Sequence, residues 1–308
     1  MNSFGVAELL KRASSRIATV VDDEKSIFTQ HIGETTGMVR HHLDDMVMLE
    51  RSTEGSLWLP GWEDRENGAP LWFRADAVSH HMLHDFNGRE NGISFDAKSE
   101  DRMRRSSWAS ARDLRGKREY EQVKDDDLTR EEHDAGTRYY VDRSKVKAVP
   151  MPGYDPDHPT IQIAAHSGAD DFGLKLNGHD ENGEATERLI AVEGTSFGLL
   201  VAHTPGFQRL LTNNPDSNVT FGPSCGPARY SATAGQRAVD AMVANGMDRR
   251  VFASTGARML AHSYNAEGTR VWDHQPEFST LAITENKDKL GNLVPGEFVE
   301  LRTPWFGS

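Results

Sequence analysis

The chain has 308 residues, room for about two domains, and one cysteine, Cys225. A single thiol excludes an intrachain disulfide and any multi-cysteine zinc or iron–sulfur centre. A formal charge of −12 and a sequence pI near 5.5 argue against nucleic acid or an anionic membrane as the main partner.

The hydrophobic fraction of 37% and mean hydropathy of −0.62 are low for one compact domain, so part of the chain is expected to be extended. No run approaches the ~18 apolar residues of a membrane span. The first residues lack the apolar core of a secretory signal. The expectation is a soluble protein made in the cytoplasm, with export by a route that needs no signal peptide left open.

In chain order, Phe4 to Val21 and Ile32 to Leu49 carry apolar residues at helical spacing. Trp58, Trp62 and Trp72 read as packing anchors of a small β-rich piece, with a carbohydrate-binding surface as the alternative. Ser79 to His84 reads as a solvated helix with His80 and His84 one turn apart. That spacing suits zinc, but the glutamate of an HExxH motif and a third ligand are missing, so no metal is expected. His41-His42-Leu43-Asp44-Asp45 is a weaker version of the same pattern. Residues 98–138 are densely charged with few apolar anchors and read as a linker or a solvated helix. They divide a mixed N-terminal region, 1–97, from a C-terminal domain, 139–308.

After that boundary the texture changes. Thr160 to Ala165 alternates like a strand and runs into His166-Ser167-Gly168. Ser196 is a candidate N-cap for a short helix, and Pro205 suits the first position of the next one. Asn218 to Phe221 is a strand leading to Cys225. Ala234 to Val243 has helical spacing stopped by Asn245-Gly246. Arg250 to Ser254 is a further strand, and Leu281 to Leu301 reads as a closing β-hairpin about a Lys-Leu-Gly-Asn turn. Strands alternating with helices predict an α/β three-layer sandwich, a mostly parallel sheet with helices on both faces. The glycines between Gly168 and Gly183 match no phosphate-binding loop, and no cofactor is expected.

Ligands of such sheets bind beyond the carboxyl ends of the strands. His166 and Cys225 each follow a predicted strand, so neighbouring strands would bring both to one rim. Cys225 then has two readings: a small buried hydrophobe, or a nucleophile that reacts as thiolate with an imidazole beside it. Gly226 and Pro227 suit a tight exit that exposes the sulfur. Gly168 would let backbone approach a substrate closely, as an oxyanion donor must. Asp170 and Asp171 are candidates to orient the histidine or meet a basic substrate side chain, with a surface turn as the plainer reading.

The segments TIQIAAHSGADDFGLKL, EGTSFGLLV, NVTFGPSCG and RVFASTGARML, in that order, resemble the caspase-like (clan CD) cysteine peptidases. They are most similar to the "lonely Cys" domains of large bacterial proteins, akin to the self-processing protease domains of secreted toxins. The resemblance covers Tyr139 to the C-terminus, and the closing hairpin and PWFGS suit it too. It implies Cys225 as nucleophile and His166 as the dyad histidine. The amide of Cys225 and one at Ser167 or Gly168 would form the oxyanion hole, with Ser224 near the substrate. It further implies hydrolysis of a peptide or protein, including a linker in its own chain within 98–136. Two positions depart from the pattern. Ser167 stands where relatives have glycine after the histidine, and Pro223-Ser224-Cys225-Gly226 replaces Gln-Ala-Cys-x-Gly. The alternatives are a non-catalytic interaction module on the same fold, or a toxin or adaptor whose activity lies in the N-terminal region.

Overall fold

The computed structural model describes residues 57–63, 71–98, 101–110, 119–133, 136–141, 145–153, 158, 160–179, 182–222, 224–230, 232–263 and 279–301. The helices expected within Phe4–Val21 and Ile32–Leu49, the His41–Asp45 cluster and the final PWFGS lie outside them. The chain folds as a mixed α/β protein. Its elements, in order, are β1 (Trp58–Gly61), β2 (Leu71–Arg74), β3 (His80–His84), β4 (Glu90–Phe95) and α1 (Asp101–Ala109). Next come β5 (Glu119–Val123), β6 (Leu128–His133), β7 (Gly136–Val141), β8 (Lys147–Pro150), β9 (Ile161–Ala164) and β10 (His166–Ser167). Then follow β11 (Asp171–His179), β12 (Ala185–Glu193), α2 (Gly194–His203), α3 (Pro205–Asn213), β13 (Val219–Phe221) and α4 (Ala234–Ala244). The last are β14 (Val251–Ser254), β15 (Arg258–Ser263), β16 (Ser279–Thr284), β17 (Asn286–Lys287), β18 (Leu293–Val294) and β19 (Phe298–Leu301).

A six-stranded sheet in the order β19-β14-β13-β9-β4-β3 organises the molecule. Its four inner strands are parallel, and the edge strands β3 and β19 run antiparallel to their neighbours. Inner strands are covered on both faces, which is why they read as short, nearly continuous apolar runs. On one face Ile93, Ile161, Ile163, Val219, Phe221 and Val251 join one large core cluster with α2, α4 and the β11–β12 ribbon. There Phe172 stacks on Phe197 at 3.9 Å between ring centroids, and Phe95 meets Phe197 edge-on at 5.3 Å. Helices α2 and α4 approach closely because α2 carries Gly194 and Gly198 one turn apart. A β-carbon at either would collide with the carbonyl oxygen of Ala234 or Ala238.

The opposite face also carries a helix, but is covered more thinly. Among the described residues α1 is the helix that lies there, packing Trp108 and Ala109 on Leu83 of β3 and Ala164 of β9. The far end is covered by a second six-stranded sheet, ordered β6-β7-β15-β16-β5-β8. Tyr120, Leu281 and Ile283 of that sheet pack on Phe252 and Phe298 of the first.

Five further readings are corrected. Residues 80–84 form a strand rather than a helix, because β4 supplies an antiparallel partner for all five. Residues within 98–138 are neither linker nor solvated helix where described: α1 buries Asp101, Arg105, Trp108 and Ala109, and β5 and β6 enter the second sheet. The strands β3 and β4, read as part of the N-terminal region, pair into the main sheet beside β9. The closing segment is no simple hairpin: β16 and β19 belong to different sheets, and only β17 and β18 pair about a turn between them. Helix α2 starts at Gly194, three residues earlier than a Ser196 cap implies, so Ser196 is a buried helical residue and not an N-cap. Pro205 does open α3 at the first turn, and β9, β13, α4 and β14 stand where the sequence places them.

Candidate active site

Strands β9 and β13 are direct parallel neighbours, with Phe221 opposite Ile163. Their carboxyl ends are knitted together beyond the sheet. The Ala165 amide donates to Ser224 Oγ at 3.2 Å, and Ser167 Oγ donates to the Cys225 carbonyl at 2.9 Å. His166 and Cys225 therefore emerge on the same rim. Both are half-buried, and the His166 side chain is 36% exposed. Neither is sealed in hydrocarbon.

Alternation decides which way the histidine leans. Ile161, Ile163 and Ala165 face the large core, whereas Ala164 faces α1. His166 shares the parity of Ala164, and its Nε2 lies 2.9 Å from Oδ1 and 3.0 Å from Oδ2 of Asp101, the first residue of α1. Asp101 Oδ2 also accepts the amides of Ala97 and Lys98, each at 2.8 Å. Burial pushes the Asp101 carboxyl up. The His166 hydrogen bond, the charges of Arg105 and His166 and the Ala97 amide outweigh it and hold the group well below the usual carboxylate range. A carboxylate kept ionised there accepts the Nε2–H of His166. The lone pair of the neutral ring is then on Nδ1.

The Cys225 loop is fixed by two serines with no exposed surface, Ser224 and Ser254. Ser254 Oγ donates to the Ser224 carbonyl at 3.2 Å and lies 3.3 Å from the Gly226 amide, while its carbonyl accepts Ala228 N–H. Gly226 has φ +60° and the Arg229 side chain lies across it, so a β-carbon would be both strained and obstructed. Arg229 N–H closes the turn on the Gly226 carbonyl at 3.1 Å. A cavity of about 600 Å³ opens beside this turn, lined by Arg229, Tyr230, Asp125 and the Glu285–Lys289 segment.

The remaining sequence candidates land differently. Gly168 N–H donates to the Asp171 carbonyl at 2.9 Å, closing the β10–β11 turn, so that amide is not offered to an oxyanion. Ser167 pairs with Phe172 in the ribbon, and its hydroxyl ties down Cys225. Asp170 accepts the Thr233 hydroxyl at 3.2 Å, and Asp171 opens β11 opposite Glu193. The orienting position assigned to them is filled by Asp101. Ser224 is fully buried and serves as a strut, so it cannot touch a substrate. His80 and His84 are exposed on β3. Among the described residues no group of three or more His, Cys, Asp and Glu side chains is placed to hold a metal ion.

The sequence reading missed Asp101 and Arg105. The signal was present as Asp101, Arg105, Trp108 and Ala109 at spacings of four, seven and eight, one helical face. Half of that buried stripe is charged, so a search for apolar periodicity passes over it. Comparison with protein-family models, with curated proteins and with solved structures gives no match to this chain.

Proposed function

We propose that the chain is a cysteine endopeptidase of caspase-like type, with Cys225 as nucleophile and His166 as its acid–base partner. The observation that carries this reading is the carboxylate of Asp101 on His166 Nε2, together with a half-buried cysteine whose carbonyl is tied to Ser167 at the same strand rim. A histidine with one nitrogen held by a carboxylate and the other left to take a proton from the nucleophile and return it to the leaving group is the arrangement nucleophilic catalysis requires. In the reaction, the Cys225 sulfur adds to a peptide carbonyl as its proton passes to His166 Nδ1. Collapse of the adduct breaks the C–N bond, and the same nitrogen returns the proton to the departing amine. Water then hydrolyses the thioester, releasing the acid and restoring the thiol. The Cys225 amide is the oxyanion donor in this reading. The substrate is a peptide or protein.

The test uses a peptide library made from a denatured proteome, incubated with wild-type protein or with Cys225→Ala. New peptide termini dependent on Cys225 are expected. Identical termini with both proteins would leave the non-catalytic interaction module as the better reading.

A further inference from the structure

Behind His166 lies a buried polar cluster that a cysteine–histidine pair alone does not need. Arg105, one turn after Asp101 on α1, is 4% exposed. Its Nη1 donates to the Phe95 carbonyl at 2.8 Å and to Ser94 Oγ at 3.0 Å, which fixes the guanidinium to β4. Its Nη2 stands 3.6 Å from Asp101 Oδ2, and Nη1 stands 3.8 Å from Asp96 Oδ1. Asp96 in turn accepts the Ser94 hydroxyl at 3.0 Å and faces His81 Nδ1 at 3.1 Å, while His81 Nε2 meets Ser106 Oγ of α1 at 3.2 Å.

Such a cluster is an expensive way to dock a helix. A buried charge must recover its lost hydration, and apolar side chains of the same volume often pack at least as well. Trp108, Ala109, Leu83 and Ala164 already provide that apolar contact. What an arginine adds is direction and charge. Two fixed N–H groups anchor it to the sheet, and its positive end faces the carboxylate that holds His166. Burial pushes the guanidinium down from its usual range, while the charges of Asp101 and Asp96 act in the opposite sense.

We propose that Arg105 is a positioning residue: anchored to β4 through Phe95 and Ser94, it fixes the Asp101 carboxylate against His166 Nε2 and thereby keeps Nδ1 as the basic nitrogen of the ring. The inference rests on the peptidase reading for its purpose but not for its geometry. It makes the strand–helix unit from residue 80 to 109 part of the working site.

The test compares wild type, Arg105→Gln, Arg105→Lys, Asp101→Asn and the Arg105→Gln/Asp101→Asn double variant, each checked for folding by near-ultraviolet circular dichroism. Two quantities are read: the His166 tautomer by nitrogen NMR near pH 8, and the rate of Cys225 alkylation by iodoacetamide. In wild type the Nε2–H tautomer dominates. Arg105→Gln mixes the tautomers and slows alkylation about tenfold, and Arg105→Lys recovers part of both. Adding Arg105→Gln to Asp101→Asn changes the rate less than about twofold, because the residue acts through Asp101. Arg105→Gln protein that melts earlier yet keeps the wild-type tautomer and rate would overturn the inference, as would factors that multiply in the double variant. A tautomer shift in Arg105→Gln, with wild-type Cys225 no more reactive than a denatured thiol, would uphold Arg105 as a positioning residue and sink the peptidase reading alone.

Discussion

His166 Nε2 and Asp101 Oδ1 meet at 2.9 Å across 65 residues of sequence, joining the start of β10, just beyond β9, to the start of α1. This contact ties the helix on one face of the sheet to the rim where Cys225 emerges. It also sets the chemistry of the ring, since a carboxylate on Nε2 leaves Nδ1 as the nitrogen that takes and returns a proton.

The same contact makes stability depend on pH with a definite sign. The folded-state pKa of Asp101 lies below its usual value, the net result of burial opposed by His166, Arg105 and the Ala97 amide. The stability it contributes is fully present above the unfolded carboxylate pKa of about 3.9, and is lost as pH falls through the folded value. Urea titrations of wild type and Asp101→Asn at a series of pH values should show wild type ahead at pH 6. The gap should close as the solution is acidified below about pH 4. A gap that widens on acidification would contradict the contact.

Gly226 is predicted to resist substitution. Its φ of +60° costs an L residue about 1–2 kcal/mol, and Arg229 occupies the space a β-carbon would need. Gly226→Ala should lower stability by roughly that amount or a little more, measured by chemical denaturation, and should slow alkylation of the neighbouring Cys225. Trimming Arg229 to Ala in the same protein should return only the steric part.

Gly198 tests the helix pair in the core. Alanine would ordinarily gain up to about 1 kcal/mol in a helix over glycine. Here its β-carbon would run into the Ala238 carbonyl, which is backbone and cannot swing aside. Overpacking costs typically about 1–3 kcal/mol, so the collision wins and Gly198→Ala should reduce stability despite the better propensity. Thermal unfolding settles the sign.

The parts of the fold legible in the sequence are those whose pattern is apolar and locally punctuated. Strands β9, β13 and β14 and helix α4 end at His166-Ser167-Gly168, Gly222, Thr255-Gly256 and Asn245-Gly246, and Gly246 does take a positive φ of 94°. Strand β3 was illegible because His80 and His84 are four residues apart, a separation that lies on one face in both a helix and a strand. Only the pairing with β4 decides, and that is not local information. The ribbon of β11 and β12 carries a clear two-residue alternation in Phe172, Leu174 and Leu176, with Gly173 and Lys175 between them. In the site, His166 and Cys225 were found because each follows closely on a strand. Asp101 was not, because its partner is chosen by the topology that lays α1 over β9, whereas Asp170 and Asp171 were merely close in sequence.

The central claim is that Cys225 is an activated nucleophile served by His166. It is tested most directly by the rate at which iodoacetamide alkylates Cys225 in native protein, mapped by mass spectrometry and compared with the urea-unfolded chain and with native His166→Ala. The account predicts that native wild type reacts faster than the unfolded thiol and that His166→Ala removes most of the advantage. A native thiol that reacts only on unfolding, or at a rate indifferent to His166, would contradict it.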